Sequence, residues 1–191
     1  MYASFARHGG NLATATAFLL DEFGLPEGSP ARCDVMLRRE LLDLLDEPPG
    51  RLVTWDTSAE DRDAECRRME ADIADGGLDL VIVGIGPNGH VGMNEPGTPP
   101  QSRSRVVDLH PETRRGALRY GAATEPAWGM TLGIATLMEA DTIWLLATGA
   151  AKAAIMARAL RGEVTPEVPA SLLLDHPDLR VYLDEHAAAH L

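Results

Sequence analysis

Apolar and polar positions along the chain fall into blocks that predict strands and helices in turn. The clearest helix covers residues 59–74, where Cys66, Met69 and Ile73 recur at helical spacing among charged positions. The other helix-like stretches are residues 31–45, 131–139 and 150–160, and residues 1–7 also have helical character. Strand-like apolar runs cover residues 14–20, 52–55, 78–85, 105–109, 142–148 and 179–183.

This alternation of strands and helices predicts an α/β fold: a doubly wound, Rossmann-like and mostly parallel sheet with helices on both faces. Sheets of this kind bind ligands beyond the carboxyl ends of their strands. The loops after Leu20, Gly86 and Thr148 are therefore the candidate sites. Such a domain usually begins with a strand, whereas this sequence opens in a helix-like segment.

Length and charge narrow the function classes. The chain of 191 residues is long enough for one domain with a full core, and its formal net charge is −12. An acidic chain is a poor partner for nucleic acid or an anionic membrane surface. It can still bind an anionic small molecule through a local cluster of cations. No apolar run approaches a membrane span of about 20 residues, and no signal peptide is recognisable, so we expect a cytoplasmic protein.

Cysteine and histidine usage adds little chemistry. Cys33 and Cys66 are two isolated thiols, which favours a reducing compartment over a disulfide. Cys33 is not predicted as a nucleophile, because no partner histidine is indicated. His186 and His190 have the spacing of a helical metal pair, but a frayed alanine-rich tail is the favoured interpretation because no third ligand is evident.

The segment at residues 78–105 is the richest in candidate chemistry. An apolar run ends in Gly84 and Gly86, and the turn after it concentrates five polar or flexible residues, Asn88, Gly89, His90, Asn94 and Glu95. A histidine and a carboxylate at the mouth of a parallel strand suit proton transfer on a small ligand. The alternative is a polar loop whose histidine is structural.

The same residues resemble a known family. Residues 84–97, GIGPNGHVGMNEPG, look like the signature of the glucosamine-6-phosphate deaminase/isomerase family, and the SRSRV at 102–106 is similar to its continuation. Further similarities lie in LDEFGLP at 20–26, DAEC at 63–66, TRRGALRY at 113–120, GAAKA at 149–153, VPASLL at 168–173 and LDE at 183–185. The related 6-phosphogluconolactonases share the fold and a similar turn, but Asn94-Glu95-Pro96 favours the deaminase branch.

The resemblance implies a modified doubly wound fold and a reaction on an amino-sugar phosphate. The sugar ring opens, a proton moves from C2 to C1, and ammonia leaves to give fructose 6-phosphate. His90 would exchange the proton at the ring oxygen, and Glu95 would hold and polarise it. Asp21 matches the family's base at C2, although its residue type alone indicates a turn or cap residue; we expect its neighbour Glu22 to be structural.

The remaining roles implied by the resemblance are positioning and phosphate binding. Asn88 stands where many relatives have Asp, so it can orient His90 but cannot take a proton. Arg119 and Lys152 match the phosphate-contacting positions, with solvated surface cations as the alternative. Gly86 and Gly89 would bring the loop backbone close to the substrate. No cofactor and no metal are implied.

The chain departs from the family at its start, and three functions stay open. Relatives begin with a strand and a glycine-rich phosphate loop, and residues 1–5 resemble the segment just after that loop, so we expect a single, N-terminally short domain with weakened phosphate affinity. Relatives range from monomers to hexamers, which leaves a homo-oligomer open. A deaminase/isomerase is the favoured function; a lactonase-like hydrolase and a non-catalytic sugar-phosphate-binding protein are the alternatives.

Overall fold

Eight strands and six α-helices make up the computed structural model, which describes residues 1–191. The strands are β1 (Thr16–Phe18), β2 (Asp21–Phe23), β3 (Arg51–Val53), β4 (Leu80–Gly84), β5 (Arg105–Asp108), β6 (Trp128–Thr131), β7 (Thr142–Ala147) and β8 (Leu179–Leu183). The α-helices are α1 (Tyr2–Arg7), α2 (Cys33–Glu40), α3 (Arg62–Gly76), α4 (Pro111–Arg119), α5 (Ile134–Leu137) and α6 (Ala153–Arg161). Three 3₁₀ helices cover Leu42–Leu44, Ala150–Lys152 and Pro169–Asp175.

The strands form three small sheets. β1 pairs with β3 in parallel, and β4, β7 and β8 form a second parallel sheet with β7 in the centre. β6 lies between β2 and β5 and is antiparallel to both. The connections between the parallel strands run through helices, as such strands require. The predicted α/β, Rossmann-like class of mostly parallel sheet is therefore confirmed, with an antiparallel three-stranded sheet added to it.

The main core lies between the parallel sheets and the helices, and 26 buried residues form it. Alternate residues of β4 and β7 point into it, among them Val81, Val83 and Leu145. Helix α3 contributes the predicted stripe of Cys66, Met69 and Ile73, and Asp61 caps its first turn by accepting the Ala64 N–H at 2.8 Å. A satellite core joins the antiparallel sheet to α4 and contains Phe23, Leu25, Ala31, Met93, Leu109, Ala117 and Ala122.

The first strand departs from the prediction in a way that matters for the site. The apolar run at 14–20 predicts one strand, but β1 ends at Phe18 and a new strand, β2, begins at Asp21. The two intervening residues carry the chain from one sheet to the other: Leu19 N–H still donates to Val53 of the β3 side, while Leu20 C=O accepts from Leu132 beyond β6. Asp21 is therefore fixed in a sheet rather than in a free turn.

Several helix boundaries also differ. The helix predicted at 131–139 is wrong in its first half, because Thr131 ends β6 and only Ile134–Leu137 is helical. Gly133 separates the two, packed so closely on the backbone of Ser102 that a side chain there would collide with it. The helix predicted at 31–45 is shorter, at Cys33–Glu40, and the one predicted at 150–160 opens with a 3₁₀ turn before α6.

None of the helices combines the length and apolar character needed to cross a membrane.

Candidate active site

The chain segments after β1 and β4 meet at one place, as the doubly wound arrangement predicts. Asp21 opens β2 directly after β1, and the loop after β4 passes beside it at Gly92. The contact is close: a Cβ built on Gly92 would lie 3.4 Å from Oδ2 of Asp21 and 2.5 Å from the Leu20 side chain. A glycine at this position therefore lets the loop lie against the Asp21 carboxylate.

Asp21 lies in an environment that shifts its proton affinity. Burial raises the pKa of the Asp21 carboxyl, while a hydrogen bond from the Cys33 thiol and the charge of nearby His90 lower it. Gly92, whose backbone lies against Asp21, comes two residues after His90, so the fold brings together the two segments that carry the carboxylate and the imidazole. A carboxylate held in this way is suited to take a proton from a bound substrate.

The loop after β4 is folded tightly around His90. Gly86 N–H donates to the His90 C=O at 2.9 Å, and Gly89 N–H donates back to the Gly86 C=O at 3.1 Å. The imidazole packs directly on Gly86, where a Cβ would overlap the ring, so no other residue fits. Gly89 has φ +92° and faces Val168, so it shapes the turn. Both predicted loop glycines thus lie at the turn that presents His90.

Asn88 connects His90 to Glu95. Its Oδ1 accepts the backbone N–H of His90 at 3.2 Å and lies 2.7 Å from Nδ1 of the same residue, while its Nδ2 donates to Oε2 of Glu95 at 2.9 Å. Since a carboxylate only accepts, the amide can be oriented in one way alone. The Nδ1 of His90 therefore carries a proton, and the Nε2 of the neutral ring is free to accept one.

Glu95 is the anionic end of this chain of contacts. Its Oε2 lies 3.4 Å from Nδ1 of His90, and its Oε1 accepts the His110 N–H at 3.2 Å. Although burial disfavours the charged form, hydrogen bonds from His90, Thr113 and Asn88 lower the pKa of the Glu95 carboxyl to about 2. Glu95 is thus ionised at neutral pH and stabilises a positive charge on His90.

Thr113 is a member of the site that the sequence analysis assigned no role. It is buried in the first turn of α4, and its Oγ1 lies 3.2 Å from Nδ1 of His90. It contacts His90 directly, and its hydroxyl is one of the groups that lower the pKa of the Glu95 carboxyl. A threonine inside an amphipathic helix carries no distinguishing pattern, so only its position after the signature could have indicated it.

Lys152 contacts the start of the same loop. It lies in the 3₁₀ turn between β7 and α6, and its Nζ donates to the C=O of Ile85 at 2.5 Å. Burial lowers the pKa of the Lys152 ammonium. Asp184 steadies this turn by accepting the Gly149 N–H at 2.9 and 3.0 Å. Lys152 thus adds a positive charge one residue before Gly86.

Arg119 differs from Lys152 in its exposure to solvent and in its lack of partners within the chain. It is the last residue of α4, it is exposed, and its guanidinium makes no hydrogen bond or ion pair within the chain. Thr113 lies six positions earlier on the same helix, about 9 Å along its axis at 1.5 Å per residue. The side chain is therefore free for an external anion, but it is not held in the pocket as Lys152 is.

No group of three or more His, Cys, Asp or Glu side chains is arranged to hold a metal ion. His186 and His190 lie after β8 in the C-terminal segment, where the chain forms turns rather than a helix. Within the site, His90 and Glu95 contact each other directly and through Asn88.

Comparison with known proteins agrees with this geometry. Residues 2–182 match the family described as glucosamine-6-phosphate isomerases/6-phosphogluconolactonase. The glucosamine-6-phosphate deaminase of Shouchella clausii is 40% identical over 193 residues, which cover 99% of this chain and 78% of the relative. That of Pseudarthrobacter chlorophenolicus is 40% identical over 192 residues, which cover 97% of this chain and 74% of the relative.

Solved structures give the same picture. A monomeric glucosamine-6-phosphate deaminase superposes with a TM-score of 0.90 at 33% identity, covering 99% of this chain and 80% of the other. The 6-phosphogluconolactonase of Trypanosoma brucei shares the fold, with a TM-score of 0.72 at 24% identity, covering 100% of this chain and 81% of the other. By sequence and by fold, the chain belongs to the glucosamine-6-phosphate isomerase/6-phosphogluconolactonase family of enzymes.

Proposed function

We propose that this protein converts glucosamine 6-phosphate and water to fructose 6-phosphate and ammonia. The observation that carries the proposal is the shared pocket of two acid/base groups, Asp21 after β1 and His90 after β4. The reaction needs two proton transfers at different atoms of the sugar. Two acid/base side chains that come from different loops can act at both of these atoms. The 40% identical relatives named for this activity support the same substrate.

His90 serves the ring-opening step. With Nδ1 protonated and bonded to Asn88, its free Nε2 takes the proton from the C1 hydroxyl and returns it to the ring oxygen. The imidazolium formed on the way is stabilised by the ionised Glu95, 3.4 Å from Nδ1. Asn88 acts as a positioning residue, because its neutral amide fixes the tautomer without exchanging a proton.

Asp21 serves the isomerisation step. Its carboxylate removes the proton from C2 of the open-chain sugar, and the same carboxyl delivers a proton to C1. Together with the movement of one proton from the C2 amine to the C1 oxygen, this transfer converts the aldehyde and amine into an alcohol at C1 and an imine at C2. Water then hydrolyses the imine to the ketone with release of ammonia. Burial raises the pKa of the Asp21 carboxyl, which strengthens the carboxylate as a base for this proton.

The phosphate is assigned to Lys152 and Arg119. Lys152 contributes a partly buried ammonium beside Gly86, where few water molecules compete for a dianion. Arg119 contributes an unpaired guanidinium that reaches the phosphate from α4. We further propose that residues 1–191 act as one cytoplasmic sugar-phosphate domain. Its partner is a small-molecule amino-sugar phosphate, and the assembly can be monomeric or homo-oligomeric.

The first experiment is ammonia release from glucosamine 6-phosphate, coupled to detection of fructose 6-phosphate. We expect activity in the wild type and a loss of about 10²- to 10⁴-fold in Asp21→Asn, the usual contribution of an acid/base group. Asp75→Asn, an exposed aspartate of α3 without a partner, is the matched control and should keep full activity.

Three results would contradict the proposal. Hydrolysis of 6-phosphogluconolactone that survives in Asp21→Asn would favour the lactonase-like alternative, which needs His90 but not Asp21. Thermal stabilisation by glucosamine 6-phosphate without ammonia release would favour a binding protein. Equal deamination by Asp21→Asn and wild type would remove Asp21 from the mechanism.

A further inference from the structure

The imidazole of His90 has one hydrogen-bond partner that does not come from its own loop, and that partner is Thr113 of α4. Within the loop, Oδ1 of Asn88 lies 2.7 Å and Oε2 of Glu95 lies 3.4 Å from Nδ1, and the ring packs on Gly86. Oγ1 of Thr113 lies 3.2 Å from the same nitrogen. This contact therefore fixes the Nδ1 edge of the ring against a second element of the fold.

The first turn of α4 holds Thr113 in this place. His110 precedes the helix as its N-cap, and its N–H donates to Oε1 of Glu95 at 3.2 Å. Thr113 and Ala117 form the buried face of the helix, and Ala117 packs in the satellite core. The helix is thus attached to the loop after β4 at two points, one on each member of the His90–Glu95 pair.

The direction of the Thr113 hydrogen bond follows from the proton on Nδ1. Because Nδ2 of Asn88 donates to Glu95, Oδ1 of Asn88 accepts from His90, and Nδ1 carries the proton. A hydroxyl beside a protonated nitrogen can only accept from it, so Oγ1 of Thr113 is a second acceptor for the same N–H. This oxygen stabilises the imidazolium more than the neutral ring, because hydrogen bonds from a charged donor are stronger.

We propose that Thr113 is a positioning residue for His90, whose hydroxyl accepts from Nδ1–H and stabilises the imidazolium formed during ring opening. The proposal rests on the proposed function, in which His90 carries the proton from the C1 hydroxyl to the ring oxygen. Thr113 exchanges no proton with the sugar, because it faces Nδ1 whereas the substrate is served by Nε2. Thr113 also helps to lower the pKa of the Glu95 carboxyl, which is the effect expected if its own proton is directed to that carboxylate.

Four titratable or charged groups surround His90, and each comes from a different place in the fold. Glu95 lies 3.4 Å from Nδ1 within the loop, and Asp21 of β2 interacts with the imidazole through its charge. Lys152 donates to a backbone carbonyl at the start of the loop. The ring of His110 caps α4, with its Nδ1 accepting a backbone N–H of that helix. A change confined to the threonine hydroxyl therefore alters the hydrogen bonding of Nδ1 without altering any neighbouring charge.

The kinetic test compares Thr113→Val, which keeps the shape and removes the hydroxyl, with Thr113→Ser, which keeps the hydroxyl. We expect kcat for ammonia release to fall about 3- to 10-fold in Thr113→Val, as for one lost hydrogen bond, while KM changes little. Thr113→Ser should return kcat close to the wild-type value. Thr136→Val is the matched control: Thr136 is also buried, on α5, its hydroxyl donates to Glu70 at 2.6 Å, and its loss should leave kcat unchanged.

A nuclear magnetic resonance test needs no activity. The ring nitrogens of protein labelled with ¹⁵N-histidine report the tautomer and the titration of each imidazole, and His90→Gln identifies the signals of His90 among the six histidines. We expect the neutral His90 ring to carry its proton on Nδ1. The midpoint of its titration should lie about half a pH unit lower in Thr113→Val than in the wild type. Thr113→Ser and Thr136→Val should titrate like the wild type.

The two tests can overturn the proposal separately. A Thr113→Ser variant as slow as Thr113→Val would assign the effect to packing of the threonine methyl group rather than to its hydroxyl. A His90 titration identical in Thr113→Val and wild type, or a neutral His90 ring with its proton on Nε2, would remove the hydrogen bond from the site. A titration that moves as expected in a protein that releases no ammonia supports the hydrogen bond and contradicts the proposed function instead.

Discussion

The Oδ1 of Asn88 lies 2.7 Å from the Nδ1 of His90, and this contact decides which nitrogen of the ring is available for chemistry. Because the amide nitrogen of Asn88 donates to Glu95, its oxygen must accept from His90. A neutral residue thus performs the orienting task in this chain, and the carboxylate that contacts Nδ1 is that of Glu95, at 3.4 Å.

Two substitutions of Asn88 should distinguish the orientation of the His90 ring from the effect of negative charge beside it. Asn88→Ala leaves Nδ1 without its closest partner, so kcat should fall about 10- to 100-fold, the cost of one lost hydrogen bond near a charge. Asn88→Asp keeps an acceptor and adds a second carboxylate, which favours the imidazolium, so the acid limb of the kcat–pH profile should move to higher pH. A profile unchanged by Asn88→Asp would contradict this role for the contact.

A methyl group at Gly86 should displace the His90 ring from its position in the site. A Cβ at this position overlaps the ring, so Gly86→Ala must displace the imidazole, and we expect a loss of at least about 100-fold in kcat/KM with binding less affected. Gly76→Ala at the end of α3 meets nothing within 4 Å and is the control. Circular dichroism of both variants would show whether the fold is kept; an active, folded Gly86→Ala protein would refute the prediction.

Lys152 and Arg119 should affect substrate affinity rather than turnover. Lys152→Ala removes a partly buried cation, and KM should rise about 10- to 100-fold, as for one charge-assisted hydrogen bond. Arg119→Ala should raise KM less, because its exposed guanidinium is more strongly screened. The exposed Arg115→Ala on the same helix is the control. Steady-state kinetics at two ionic strengths would show which substitution raises KM more. A larger rise in Arg119→Ala than in Lys152→Ala would contradict the prediction.

The sequence predicts the parts of the fold whose pattern is long enough to repeat. Helix α3 shows the full stripe of Cys66, Met69 and Ile73, and β4 stands out as an uninterrupted apolar run, so both are located correctly. β2 and β6 have three and four residues and are made by pairing Asp21 with the distant Thr131. Such short strands contain too little alternation to be distinguished from a turn or a helix end.

The residues of the site can be divided in the same way, into those that the sequence indicates and those that only the fold reveals. His90 and Glu95 come from one compact motif whose residues indicate proton transfer, whereas Asp21 is named as a candidate only through the resemblance of LDEFGLP at 20–26 to the family, because its residue type alone indicates a turn or cap residue. Thr113 reaches the site through the packing of α4, and its neighbours in sequence give no sign of it. Contacts that depend on tertiary packing leave no local periodicity, which is why this residue emerges only from the folded chain.

Glu95 should make the folded protein sensitive to acid. Its pKa is lowered from 4.5 to about 2, so its contribution is complete above pH 4.5 and is lost as the pH falls toward 2. The loss amounts to at most roughly 3 kcal/mol of unfolding free energy. Glu95→Gln should flatten stability across this range in urea titrations, whereas the exposed Glu163→Gln should not. Parallel curves for Glu95→Gln and wild type would contradict the assignment.

Glu22 should act on stability in the opposite sense and at higher pH. Burial raises its pKa from 4.5 to about 7, against the hydrogen bonds from Asp34 and Cys33 and the charge of Arg32. The folded state therefore holds this proton more tightly than the unfolded state. The stability it provides is present below pH 4.5 and declines as the pH rises through 7. Glu22→Gln keeps the shape and cannot ionise, so its unfolding free energy should not fall between these values, while the exposed Glu27→Gln should match the wild type. A wild-type protein that gains stability from this group on the way to pH 7 would show that Glu22 is ionised throughout, held by its three backbone N–H donors.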